Sequence, residues 1–385
     1  MTEVPDAGYV AALAGFRGMT PRRLRILTDH LSPSDAFDVA SGAAPPTPYL
    51  GRLLNDELRG WWRQSAAERP PAACWERCVA SGVKVLTAGD PAFPAMLHLD
   101  PSPPAVLFVR GDLAALDARR VGIVGTRNAT RLGRETAAGL GLDLAASGVA
   151  VVSGLARGID GAAHRGALAA GCQAAGASTG PAIGRPVAVV GNGPDAAYPK
   201  QHAELWSAVS ASGVLMSEWP PGTPPDGFRF PMRNRILAAL CEVLVVVESR
   251  ETGGSLLTAR EALDRSVEVM AVPGSPRSRA SAGTNGLLRD GAAPVTSADD
   301  VLAALGLDTR RQGTLPFDPR PPLRGVDRVV IDHCRADPRT LDEIAAELGV
   351  GLCDAAMTLA RLERTGWLRE VGGWFEALGS RSELA

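Results

Sequence analysis

The chain lacks most of what would commit it to a membrane, a metal or an ordinary nucleotide chemistry. No run of about 18 apolar residues occurs, so nothing is expected to span a bilayer. The opening segment MTEVPDAGYVAAL has no basic stretch followed by an apolar one and does not read as a signal peptide. Cysteine is sparse, and Cys74, Cys78, Cys172, Cys241, Cys334 and Cys353 form no Cys-x-x-Cys pair. That usage predicts free thiols in a reducing cytoplasm rather than a disulfide framework. Cys74 and Cys78 stand one helical turn apart, but further zinc ligands are missing around them, so no metal is expected. A basic excess is also missing: 40 Lys+Arg face 42 Asp+Glu, for a net charge of −2. Any polyanion must therefore meet a local cationic patch, not a whole-molecule field. Aromatic residues are only 5% of the chain, which leaves few faces for stacking. Two nucleotide signatures are absent as well. Gly122, Gly125 and Gly133 have the wrong spacing for a G-x-G-x-x-G turn after the first central strand, and no G-x-x-x-x-G-K-[ST] loop occurs. These absences disfavour the ordinary nucleotide enzymes, and no cofactor is expected.

What is present divides into regions. Residues 1–80 read as short helices, 81–308 as an α/β domain, 309–325 as a proline-rich linker and 326–378 as three helices with a hairpin. The central region carries the clearest pattern. VGIVG (121–125), VAVVSG (149–154), VAVVG (187–191), VLMSE (214–218), VLVVV (243–247) and VEVMAV (267–272) are short Val-rich runs. Helical stretches such as RETAAGLGLDLAAS (134–147) lie between them. Uninterrupted apolar strands alternating with helices predict a mostly parallel, doubly wound Rossmann-like sheet buried on both faces. Ligands of such sheets sit outside the carboxyl ends of the strands.

Those ends hold a consistent set of residues. Gly125, Thr126 and Arg127 close the first run, and Gly154, Arg157 and Gly158 follow the second. Asn192 follows the third, with Tyr198-Pro199-Lys200 beyond it, and FRFPMRNR (228–235) supplies Arg233, Asn234 and Arg235. Thr252-Gly253-Gly254-Ser255 follows the fifth. Each turn precedes a helix, whose free amides and positive end favour anions. A glycine between strand and helix also serves the turn alone. Joint occurrence of cations, small hydroxyls and glycines at several strand ends points to a phosphate-binding rim. Asn234 and Arg235 read more as supports of neighbouring loops, and Asp160 and His164 as a helix-start acid with a packed imidazole.

VGIVGTR, VVSGLARGIDGAAHRGAL, VVGNGPDAAYPK, FPMRNRILAAL and ESRETGGSLLTAREAL together resemble the DNA-processing protein A (DprA/Smf) family, in the family's order across about 105–305. The resemblance implies a dimeric, non-catalytic protein that binds single-stranded DNA, shields incoming strands in natural transformation and helps load RecA recombinase. It carries the pocket cations over to Arg127 and Lys200, a further cation to Arg157, and the glycine-rich turns to Gly125, Gly154, Gly158 and Gly254 with Ser255. Thr126 stands where serine is common, which keeps the hydroxyl. Residues 174–184 look like an inserted Gly/Ala/Ser loop. Tyr198 and Phe230 are the nearest stacking candidates, so phosphate contacts should dominate. About three such contacts give a log-affinity against log-salt slope of roughly −2. The alternative is a nucleoside-monophosphate phosphoribohydrolase using Gly253-Gly254-Ser255, with Glu261 as its carboxylate.

The flanks are less decisive. LAGFRGMTPRRLRILTDHL resembles a helix-hairpin-helix element, comparable to the family's sterile-alpha-motif-like domain, and would be either a phosphate grip or a packing module. Residues 326–378 read as a winged helix, with a Thr340–Glu343 capping box and a Gly372-Gly373 hairpin turn. The segment holds six Arg, no Lys and ten Asp plus Glu, so protein contact is expected there before duplex DNA.

Overall fold

The computed structural model describes residues 4–174, 183–307, 320, 321, 323 and 325–378. The chain divides into two compact units, Met1–Asp308 and Thr309–Ala385. Most of the inserted loop at 174–184 and most of the linker at 309–325 lie outside the described residues.

Proline and its preceding hydroxyl punctuate the amino-terminal helices. These are α1 (Asp6–Ala14), α2 (Pro21–His30), α3 (Pro33–Ser41), α4 (Pro48–Leu53), α5 (Asp56–Glu68) and α6 (Pro71–Ala80). Thr20, Ser32 and Thr47 cap α2, α3 and α4, each just before a proline at the first helical position. Proline has no N–H to leave unsatisfied there, and its fixed φ suits the helix. The turn between α1 and α2 spends its amides inside the protein. Gly15 N donates to Ala12 O, Phe16 N to Leu13 O, Met19 N to Phe16 O, and Arg17 N to Ser65 Oγ. These four amides are therefore not available to a phosphate, and the packing role holds for them. Leu13, Leu27, Leu50 and Trp62 bury themselves in one core with Val85, Val106 and Phe108 from the strands that follow.

The sheet has nine strands: β1 (Lys84–Thr87), β2 (Val106–Gly111), β3 (Arg120–Val124), β4 (Ala150–Ser153), β5 (Pro186–Val189), β6 (Val214–Ser217), β7 (Val243–Val246), β8 (Glu268–Ala271) and β9 (Ala293–Pro294). Their order is β1-β2-β6-β5-β4-β3-β7-β8-β9. Neighbours from β6 through β9 pair parallel, whereas β2 pairs antiparallel with both β1 and β6. The chain thus winds outward from β3 in both directions, and the switch point lies between β3 and β7. The intervening helices are α7 (Ala95–His98), α8 (Arg131–Ala146), α9 (Ile159–Ala174), α10 (Ala203–Ser212), α11 (Arg229–Leu240), α12 (Gly254–Leu263), α13 (Ala282–Arg289) and α14 (Ala298–Ala304). Leu140 and Leu144 of α8, Ile159 and Ala163 of α9 and Val301 of α14 cover one face of the sheet. Ile236, Leu237 and Leu240 of α11 with Ala259 and Ala262 of α12 cover the other. All six runs expected as strands are strands of this sheet. The antiparallel β1 and β2 and the two-residue β9 extend it beyond that reading.

The second unit runs α15 (Val326–Ala336), β10 (Arg339–Thr340), α16 (Leu341–Leu348), α17 (Leu352–Arg364), β11 (Leu368–Val371) and β12 (Trp374–Ala377), the order of a winged helix. The Thr340–Glu343 capping box is formed, and Gly372 and Gly373 turn the β11–β12 hairpin at φ of +60° and +86°. No helix among the described residues is long and apolar enough to cross a membrane.

Candidate nucleic-acid interface

Every turn at the carboxyl edge of β3, β4, β5 and β7 opens on the same depression. After β3, the loop carrying Arg127 is clamped at both ends by one residue. Thr126 N donates to the backbone oxygen of Glu248 at 2.8 Å, while Thr130 N and Oγ1 donate to the Glu248 carboxylate at 2.9 and 2.5 Å. Thr130 in turn caps α8 through Gly133 N. Arg127 is left exposed at the loop's tip, its guanidinium 4.8 Å from the ring centre of Phe230 on α11. Phe230 also stacks on Tyr198, with ring centres 5.5 Å apart.

After β4, two glycines are required by contacts. A Cβ on Gly154 would occupy the space of the Arg233 guanidinium, so the bare backbone lets that cation pass beneath the turn. Gly158 has φ of +83°, and a Cβ there would run into the backbone oxygens of Thr126 and Arg127. Gly158 therefore seats the Arg127 loop. Arg157 is exposed beside it. After β5, Asn192 is buried and donates to Gly193 O and Ala196 O, which shapes the stretch leading to Lys200. After β7, Ser255 is buried with its hydroxyl on Ser249 Oγ at 2.9 Å.

The depression has two lobes. A cleft of about 460 Å³ is lined by Arg127, Gly154, Arg157, Asn192, Tyr198, Lys200 and Phe230 among others. A second lobe of about 670 Å³ adjoins it at the switch point, sharing Arg127, Tyr198 and Phe230. Gly125, Thr126, Asp160, Arg233, Asn234, Arg250, Gly254 and Ser255 line that lobe. Eleven of the thirteen residues expected at a binding rim therefore come together; Gly158 and Arg235 line neither lobe. Gly158 lies under the Arg127 loop. Arg235 is turned away into an ion pair of 2.5 Å with Glu218, whose side chain is almost fully buried.

The cations differ in state. Among the described residues no carboxylate pairs with Arg127, Arg157 or Lys200. Arg233 is buried and spoken for: Nη1 donates to Val189 O, Nε to Asn234 Oδ1 at 3.0 Å, and Nη2 lies 3.9 Å from the Asp160 carboxylate. Burial pushes the Asp160 carboxyl up, and the adjacent Arg233 charge pulls against it. Burial likewise pushes Glu218 up, opposed by Arg235. His164 is fully buried below this layer, and burial lowers its imidazole to about 3, so it is neutral. Asp160 and His164 are thus floor rather than ligand, and no group of three or more His, Cys, Asp or Glu among the described residues could hold a metal ion. Glu261, the carboxylate of the hydrolytic alternative, is held by Arg265 at 2.6 Å and lines neither lobe. Glu248 was not singled out from the sequence, although an acid among cations directly behind a Val-rich strand was the signal to follow.

The family model for DNA recombination-mediator protein A matches residues 84–306. The chain is 37% identical to the DNA processing protein DprA of Bacillus subtilis over 237 residues, 61% of this chain and 75% of that one. Its fold superposes on the X-ray structure of DprA from Streptococcus pneumoniae with a TM-score of 0.62 and 28% identity, covering 78% of this chain and 98% of that one. A Helicobacter pylori DNA processing protein A, whose structure is described for its single-stranded DNA binding mode, matches with a TM-score of 0.51 and 26% identity, over 59% of this chain and 98% of that one. With the family model spanning more than half of its length and a nine-stranded sheet of matching fold beneath the motifs, the chain belongs to the DNA recombination-mediator protein A (DprA/Smf) family.

Proposed function

We propose that the chain binds single-stranded DNA across the Arg127–Lys200 cleft, without chemistry on the strand. One observation carries the reading: Arg127, Arg157 and Lys200, from three different strand-end turns, converge on one cleft, and none of them is in a salt bridge among the described residues. Unpaired cations at a concave rim suit phosphates and carry no sequence information. The stacked Tyr198–Phe230 pair against Arg127 supplies an aromatic face, and bases stack on such faces whatever their identity. The binding mode described for the Helicobacter pylori relative supports the same ligand. The hydrolase reading is not favoured, because Glu261 is already engaged.

The family's description as a recombination mediator extends the proposal. A dimer of the chain would shield an incoming strand in the cytoplasm during natural transformation and pass it to RecA. Fluorescence anisotropy with labelled oligo-dT at several salt concentrations tests the first step. Arg127→Glu and Lys200→Glu should each weaken binding by about tenfold or more, with melting temperature unchanged, and should flatten a salt slope of roughly −2. Wild-type affinity in both variants removes the cleft assignment. RecA nucleation on the strand, with and without the protein, tests the second step.

A further inference from the structure

We propose that the second lobe is a phosphate-monoester subsite, adjoining the Arg127–Lys200 cleft and seated on the amino end of α12. The inference rests on the lobe's own donors, and on the reading above only for one of its two possible ligands. The ten-residue helix α12 opens with Gly253 as its cap, which offers no side chain to its free amides. Among the described residues the amides of Gly254 and Ser255 find no acceptor. Two further donors line the same lobe. Thr258 is only 4% exposed, and its hydroxyl makes no hydrogen bond among the described residues. Asn234 is 8% exposed; its Oδ1 is taken by Arg233, while its amide N–H groups have no partner among the described residues.

Donors that no protein acceptor satisfies must take their partner from the lobe they line, as water or as a ligand. Here they surround a helix start, where backbone amides and the helix dipole favour negative charge. Arg127, Arg233 and Arg250 outnumber Asp160 and Asp226 around the lobe, so its balance is cationic. A donor-rich, acceptor-poor pocket at the switch point suits a group with several terminal anionic oxygens. A phosphate monoester has three such oxygens and close to two charges at neutral pH, whereas a mid-strand diester has two oxygens and one charge. The monoester could come from a free nucleoside 5′-monophosphate or from the 5′ end of a DNA strand.

The test compares 3′-labelled oligo-dT carrying a 5′-phosphate with the same strand carrying a 5′-hydroxyl, using the full-length chain. Thymidine monophosphate is titrated calorimetrically alongside. Two variants probe the subsite. Gly254→Asp places a carboxylate where an added Cβ meets nothing within 4 Å, and an acid in a first helical turn does not disfavour the helix. Thr258→Val removes only the hydroxyl. The 5′-phosphate strand should bind about tenfold tighter than the 5′-hydroxyl strand, as expected for a few charge-assisted hydrogen bonds. Both variants should erase that advantage. Preference for the phosphorylated strand assigns the subsite to strand ends. Monophosphate binding that Gly254→Asp abolishes, without strand preference, assigns it to free nucleotide. Equal affinity for the two strands with no monophosphate binding overturns the proposal, as does an advantage that survives both substitutions. The 5′-hydroxyl strand and its response to Lys200→Glu, a residue that lines only the main cleft, report on that cleft alone, so the two readings fail separately.

Discussion

At Gly154 a single hydrogen atom in place of a methyl group lets the Arg233 guanidinium lie under the turn, beside Asp160. This pair makes the floor of the second lobe charged rather than apolar, and the buried His164 lies near enough to feel the Arg233 charge. His164 gives the floor a pH signature. Its imidazole titrates at about 3 in the folded chain against 6.5 when free. Between those values the unfolded chain holds a proton that the folded chain does not. The stability tied to the neutral ring is complete above 6.5 and drains away as pH falls toward 3. His164→Leu should therefore flatten the acid limb of a urea-midpoint profile, by up to about 1.4 kcal/mol per pH unit below the free value. Parallel profiles for the two proteins would show that the ring is not buried as described. Arg127 and Arg157 were legible in the sequence because each stands just behind a strand end, where a side chain has only solvent or a ligand to meet, whereas Lys200, well beyond the end of β5, was marked by the family resemblance. Arg235 was legible only as a support of neighbouring loops; its partner Glu218 comes from a different strand end, and sequence alone does not pair them.

At the scale of elements, the loop between β3 and α8 owes its shape to β7. Glu248 binds the loop's first and last residues, Thr126 and Thr130, and thereby fixes where Arg127 emerges. Glu248→Ala would strand both the Thr130 amide and hydroxyl, costing about 2 kcal/mol of stability. It should also lower the affinity for oligo-dT, because Arg127 loses its seat, and Glu248→Gln, which keeps an acceptor, should fall between. Melting curves and anisotropy on the same samples check both effects; unaltered DNA affinity in a destabilised Glu248→Ala protein would remove the seating role. The six central strands were readable because burial on both faces leaves them dominated by Val, Ala, Leu and Met. The outer β1 escaped notice because a four-residue edge strand, KVLT, alternates too briefly to stand out from a loop. The switch point followed from strand order, which only the pairing of β3 with both β4 and β7 reveals.

For the whole molecule, the cationic cleft and its neighbour belong entirely to the first unit, while the segment 326–378 has six Arg against ten acids. A chain of residues 1–308 should keep the parent's affinity for oligo-dT and its salt slope within about twofold, since acidic surface adds no phosphate contacts. Electrophoretic mobility and anisotropy of the shortened chain check this; a collapse in affinity would move part of the binding surface to the winged helix. Shortening from the other end has the opposite outlook. Val85, Val106 and Phe108 lie on the outermost two strands and are roofed by Leu13, Leu27, Leu50 and Trp62 of the amino-terminal helices. Removing those helices would strip the lid from a greasy flank of the sheet and leave an edge ready to stick to its neighbours, so the helical region acts as a solubilising cap as much as an appendage.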